Sequence, residues 1–144
     1  MHPRRQARIG ALGALYAEAQ THDDLEKLLK DTYSRESFSQ SCKKYIRLLF
    51  FETLKHLETC DSLIDTHLEN WEFNRIALLD KLILRMALTE MIFIPDVPSK
   101  AAISEAIEIA KEFSTNESPG FINGILDAVY KNPNLEKLSK EKSN

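Results

Sequence analysis

Apolar residues recur at spacings of three and four along almost the whole chain, and no segment alternates with period two long enough to predict a strand. Ile9, Leu12, Tyr16 and Ala19 form a first stripe, which predicts a helix from about Arg4 to Gln20. Leu25, Leu28, Leu29 and Tyr33 form a second. Thr21, with Asp24 three residues later, reads as a capping box opening it. Phe38, Cys42, Tyr45, Ile46, Leu49, Thr53 and Leu57 mark one face of a longer helix. Cys60, Leu63, Ile64, His67, Leu68 and Trp71 continue the spacing in a shorter one.

The stretch from Arg75 to Phe93 is apolar nearly all round, so it predicts a helix surrounded by others. It reaches the length of a membrane span, but Asp80, Lys81, Arg85 and Glu90 interrupt it. Each such charge at bilayer depth costs roughly 2.5–3.5 kcal/mol on the mildest scale, which favours a central core helix over a span. Pro95 and Pro98 then end it, because proline lacks an N–H donor and restricts the residue before it. Ile103, Ala106, Ile107, Ala110 and Phe113 stripe the next helix. Ser118-Pro119 reads as an N-cap with proline in the first turn, and Phe121, Ile122, Ile125, Leu126 and Val129 give the last helix its buried face. The expected architecture is all-α, with about seven helices and short connections. Residues 1–130 form one helical domain, and residues 131–144, polar and lysine-rich, form a mobile tail.

Composition narrows the function class. A chain of 144 residues, 43% hydrophobic and 28% charged, is long enough for a real core and too apolar for a disordered tail. Cys42 and Cys60 have no metal or redox spacing, and no leader pattern opens the chain, so a reduced, cytoplasmic setting is expected. Four glycines, none in a closely spaced loop, argue against a phosphate-cradling nucleotide fold. The net charge of -3 hides an asymmetry. Arg4, Arg5 and Arg8 face only Glu18 in the first twenty residues, whereas Asp61, Asp65, Glu69, Glu72 and Asp80 face only Arg75 in residues 61–80. A basic N-terminal arm on an acidic body suits nucleic acid, and it equally suits a solvated helix start.

Hydrolase, zincin and P-loop signatures are all missing, and His2, His22, His56 and His67 are scattered, so neither a catalytic centre, a metal site nor a cofactor is expected. The residues that suggest a task are arginines sharing a helix with an aromatic. Arg4 and Arg8 lie one turn apart with Arg5 beside them, and Tyr16 follows on the same helix. Cations on phosphates and rings stacked on bases are how single-stranded nucleic acid is held. Tyr16 also continues the apolar stripe, so the pattern alone leaves it open between core and surface.

RRQAR followed by ALY, then LDKLILRMALTEM, DVPSKAAISEAIEIAKEFS and FINGILD, strongly resembles the NusB family of bacterial transcription antitermination factors. The likeness runs from Pro3 to about Tyr130 and is weak in sequence between about Thr21 and Ile76. It implies two packed three-helix bundles and no enzymatic activity. It also implies binding of single-stranded boxA RNA in nascent ribosomal RNA transcripts, as a heterodimer with NusE, a small-subunit ribosomal protein, alongside other Nus factors and RNA polymerase. By matching motif, Arg4, Arg5, Arg8, Tyr16, Glu117 and Phe121 fall on the RNA side. Asp80, with Arg75 and Lys81 close by, falls on the NusE side, and Asp80 is expected to reach solvent at an edge. Arg85 and Glu105 are expected to form a structural ion pair. Gln6 stands where a further basic residue is frequent, Ser104 where asparagine is usual, and Ser114 where glycine is frequent.

Two alternatives share the helical pattern. One is an interaction adaptor with no RNA site. The other is a stand-alone relative of the RNA-binding domain of RNA cytosine methyltransferases.

Overall fold

The protein is described by a computed structural model covering residues 3–69 and 72–135. It contains seven α-helices: α1 (Pro3–Thr21), α2 (Leu25–Arg35), α3 (Gln40–Lys55), α4 (Leu57–Thr66), α5 (Leu78–Phe93), α6 (Ser99–Phe113) and α7 (Ser118–Tyr130). There is no strand among the described residues. A single 3-10 turn, Phe73–Arg75, precedes α5, so the central helix begins three residues later than its apolar pattern suggests. The chain divides into two compact units, the first ending at Leu54 and the second beginning at Lys55. Trp71 and residues 136–144, most of the expected mobile tail, lie outside the described residues.

The first unit holds α1 to α3. The buried positions of α1 are Ala7, Arg8, Gly10, Ala11, Leu12, Ala14 and Leu15. Of the predicted stripe only Leu12 is among them, because small residues line the packed face and the bulkier Tyr16 is turned outward. Gly10 shows why. A Cβ there would lie 2.9 Å from Ile46 Cδ1 and 3.2 Å from Phe38 Cζ, so α1 approaches α3 through a position that only glycine fills comfortably. Thr21 closes α1 by donating to the Ala17 carbonyl at 2.8 Å. Asp24 caps α2 by accepting from Lys27 N–H at 3.1 Å. The expected capping box is therefore replaced by a cap on its fourth residue. Tyr33 donates to the Lys43 carbonyl, and Arg47 bonds Glu26, so α2 and α3 are tied at two places.

The second unit holds α4 to α7. Its centre is α5, in which every residue from Met86 to Ile92 is buried. The predicted all-round burial is met. α6 buries Ala102, Ala106, Ile109 and Ala110; Ala106 and Ala110 belong to the predicted stripe, whereas Ile103 and Ile107 are only half-buried and Phe113 is exposed. Short alanines at these positions let the helix axes approach closely. α7 buries Ile122, Ile125, Leu126 and Val129 as expected. The helix boundary at His56 separates Leu57 from α3, with which its spacing had grouped it, and His56 stacks flat on Phe93 at 3.5 Å between ring centroids.

Arg85 forms a two-pronged pair with Asp61, Nε to Oδ1 at 2.7 Å and Nη2 to Oδ2 at 2.9 Å. This corrects the expected pairing with Glu105. The arginine ties α5 back to α4, because Asp61 lies opposite it across the α4–α5 contact. Beside that pair the buried Cys60 thiol donates to the Arg85 carbonyl at 3.6 Å, and burial pushes it up to about 11 from an ordinary 9.0.

Two outcomes follow from this packing. Gly10→Val forces a branched side chain into a closed contact and lowers stability by about 2 kcal/mol or more in urea unfolding. Gly124→Ala, at an exposed α7 site with nothing within 4 Å of the added carbon, raises stability by up to about 1 kcal/mol. Folding also keeps the Cys60 thiol protonated where the unfolded chain has lost that proton. Its contribution is therefore complete below pH 9 and declines as pH rises toward about 11. Urea midpoints across that range should fall, and Cys60→Ala should flatten the fall.

Candidate nucleic-acid and partner interface

The candidate residues lie in two places, one in each unit. In the first unit, α1 starts with proline at its first position, which costs no hydrogen bond there, and no acidic residue occupies its first turn. Arg4 and Arg5 therefore stand at the positive end of the helix dipole, so that end of the helix favours anions. Arg4 and Arg5 are half-buried. The Arg4 guanidinium carbon sits 3.8 Å from the centroid of the Tyr45 ring, a residue of α3 that is itself buried. Gln6, in place of a further cation, donates to Glu36 at 3.2 Å and helps hold α1 to the end of α2.

Arg8 departs from expectation. It is only 5% exposed, beside the buried Ala7, Ala11 and Leu12, so it is not a solvated cation waiting for a phosphate. Tyr16 departs in the other direction from its place in the apolar stripe. With 44% of its surface in solvent, its ring is available for stacking.

In the second unit a groove of 460 Å³ opens between the start of α5 and the start of α7. It is lined by Arg75, Ile76, Ala77, Asp80, Thr115, Glu117, Ser118 and Phe121. The groove thus brings together Glu117 and Phe121 from the RNA group and Arg75 and Asp80 from the partner group. Glu117 is exposed and Phe121 half-buried. Lys81 stands 4.4 Å from the Phe73 ring centroid, just outside this lining.

Asp80 does not reach out to solvent as expected, being 8% exposed. Its Oδ1 accepts from Ser114 Oγ at 2.6 Å and its Oδ2 from Ser118 Oγ at 2.9 Å. The two serine hydroxyls lie 2.9 Å apart, and Ser118 Oγ also accepts from Thr115 N–H at 3.3 Å. A carboxylate in the first turn of α5 is favoured by the helix dipole, and its two hydroxyl donors satisfy the oxygens that burial removes from water. The connection between α6 and α7 is thereby pinned to α5 at both ends. Ser118 is not the N-cap its place before proline predicts, since Glu117 takes that position and Ser118 is 1% exposed.

The donation of Ser114 and Ser118 to Asp80 escaped the sequence reading, which took Ser118 as an N-cap and Ser114 as a departure from the family pattern. Their four-residue spacing across a helix start was the available signal. Tyr45 escaped because it reads as plain core. Among the described residues no group of three or more metal-binding side chains converges, and no helix is long and apolar enough to cross a membrane.

Asp80→Ala should destabilise the protein by about 1–3 kcal/mol, since it removes the shared acceptor of two hydroxyls, one of them on the buried Ser118. Ser114→Ala should cost less, because Ser118 still serves the carboxylate. Chemical denaturation of both variants checks the order.

The NusB family model matches residues 5–131. A transcription antitermination protein NusB of Salinibacter ruber is 43% identical over 131 residues, covering 90% of this chain and 81% of that protein. Among solved structures, T. maritima NusB superimposes with a TM-score of 0.80 at 32% identity, covering 100% of this chain and 95% of that one. A structure of antitermination factors NusB and NusE in complex with double-stranded RNA shares the fold, with a TM-score of 0.82 at 24% identity over 91% of this chain and 98% of that one.

Proposed function

Because the chain belongs to the NusB family, we propose that it is a transcription antitermination factor that binds single-stranded boxA-type RNA. It does so together with NusE, and the pair joins other Nus factors on RNA polymerase in the cytoplasm. The role is binding rather than catalysis. The observation that carries the RNA reading is the exposed Tyr16 on the same helix as Arg4 and Arg5 at the dipole's positive end. Rings that stack and cations that meet phosphates are the two components a single strand requires.

In this reading Arg4 and Arg5 take phosphates and Tyr16 offers a stacking face, with Arg8 an inner member of the same cluster. Glu117 and Phe121 present a carboxylate and a half-buried ring at the groove of the second unit. A carboxylate accepts hydrogen bonds from base amino groups, which gives selectivity where arginines give only affinity. Arg75 and Lys81 offer charge to NusE, and Asp80, being buried, acts there through the shape of the groove it holds. If RNA and NusE each favour the other's binding, linkage requires the two factors to be equal.

Fluorescence anisotropy with a boxA-like oligoribonucleotide, with and without NusE, tests the assignment. Binding that tightens when NusE is added supports it. Binding of NusE with no RNA affinity in either case returns the protein to the class of interaction adaptors. Replacing Arg4 and Arg5 with alanine should flatten the plot of log affinity against log salt by about 1.4, at roughly 0.7 per phosphate of a single strand. Tyr16→Ala should weaken RNA binding by roughly 1–3 kcal/mol with an unchanged melting temperature.

A further inference from the structure

A hydroxyl carries one hydrogen and two lone pairs, so a group of touching hydroxyls is settled by where each hydrogen goes. Asp80, as a carboxylate, offers acceptors only. Ser114 donates to its Oδ1 at 2.6 Å and Ser118 to its Oδ2 at 2.9 Å, and each serine has then spent its hydrogen. The 2.9 Å separation of the two serine oxygens follows from their converging on one carboxylate. Ser118 Oγ keeps two lone pairs. One accepts the Thr115 N–H at 3.3 Å, and the other faces Thr115 Oγ1 at 2.9 Å. Ser118 has no hydrogen left for that contact, so Thr115 is its donor. A chain of hydroxyls thus runs from Thr115 through Ser118 to Asp80, with every hydrogen pointing toward a charge that is only 8% exposed. Bonds aligned in this way polarise and strengthen one another.

Thr115 ends the chain at the surface. It is exposed and lines the 460 Å³ groove together with Glu117 and Phe121. With its hydrogen committed inward, its oxygen has lone pairs to offer and nothing to donate. Turning that hydroxyl toward a ligand would take a donor from Ser118 and leave two oxygens 2.9 Å apart with no hydrogen between them. Glu117, two residues on and also exposed, is acceptor-only because it is a carboxylate. The α6–α7 side of the groove therefore presents acceptors from both residues, and the cationic donor of the lining, Arg75, comes from the turn before α5.

Nucleobases differ in what they bring to such a wall. Adenine, cytosine and guanine each carry an exocyclic amino group with N–H donors, whereas uracil carries carbonyl oxygens and a single ring N–H. A carbonyl set against Thr115 and Glu117 places lone pairs on lone pairs.

We propose that Thr115 is a specificity-determining residue of the RNA site. The Ser118–Asp80 chain holds its oxygen as an acceptor, and with Glu117 it selects a base bearing an exocyclic amino group over uracil. The proposal rests on the RNA-binding role given to Glu117 and Phe121 above, and it adds the residue that decides which base edge the groove accepts.

Competition anisotropy tests it, using the full chain with NusE and a set of boxA-like oligoribonucleotides. In each, one nucleotide loses its amino group: guanosine becomes inosine, adenosine becomes purine riboside, or cytidine becomes uridine. At one position the parent should lose about 3- to 10-fold in affinity, the size of one net hydrogen bond. Thr115→Val keeps the side-chain shape without the oxygen, and should bring that loss to about 2-fold or less. Thr115→Ser keeps the hydroxyl and should keep the full loss. All affinities are taken well below the melting temperature of the least stable variant. A merely structural role for Thr115 predicts that Thr115→Val weakens every oligoribonucleotide by the same factor, and that result overturns the proposal. A parent indifferent to every amino group overturns it as well. If Glu117→Gln and Phe121→Ala both leave RNA affinity unchanged, the groove takes no RNA and the proposal falls with that reading. If either weakens binding while Thr115→Val retains every amino-group loss, the assignment to Thr115 alone fails.

Discussion

A carboxylate taken out of water must find donors, and the second unit is arranged around one that does. Asp80 sits in the first turn of the most buried helix among the described residues, where its charge is both favoured by the helix dipole and shut away from solvent. Ser114 and Ser118 supply the donors, and in doing so they fix where α6 ends and α7 begins. Everything at the mouth of the groove inherits its place from that requirement. Glu117 lies between the two serines and Phe121 follows one turn along α7, and both line the groove.

The first unit meets its functional demand differently. Its leading helix packs with alanines and a glycine, which bring α1 close to α3 and leave the larger side chains for the outer face. Tyr16 is exposed for that reason. The arginines at the same helix start sit against the dipole, an arrangement that works against folding and in favour of anion binding. The candidate residues of the first unit are thus cations and an exposed ring, and those of the second a carboxylate and a half-buried ring.

Much of the fold was legible because helices announce themselves locally. The three-and-four spacing located all seven, and the run from Leu82 to Ile92 was recognisable as interior because it is apolar nearly all round, with Arg85, Thr89 and Glu90 as its only polar positions. Register was less legible. The predicted stripes leaned on large residues, whereas α1 and α6 also bury Ala7, Ala11, Ala14 and Ala102, which add little to a hydrophobic pattern and permit close approach. The candidate site shows the same division. Arg4, Arg5 and Tyr16 could be nominated from their shared helix and from motif resemblance. The burial of Arg8 and of Asp80, and the stacking of Arg4 on Tyr45, involve neighbours distant in sequence.

What the sequence determined by itself was the helical class, the number of elements, the interior position of α5 and the family resemblance carried by its motifs. Each of these depends on residues within a turn or two of one another. Tertiary structure alone decided which cation is buried and which ring is exposed. It alone decided that Arg85 pairs with Asp61 twenty-four positions away, and that one carboxylate holds two serines more than thirty residues along the chain. Local spacing sets the direction in which a side chain leaves its helix. What it meets there depends on how closely the next helix can approach, and that distance is set by small residues elsewhere in the chain.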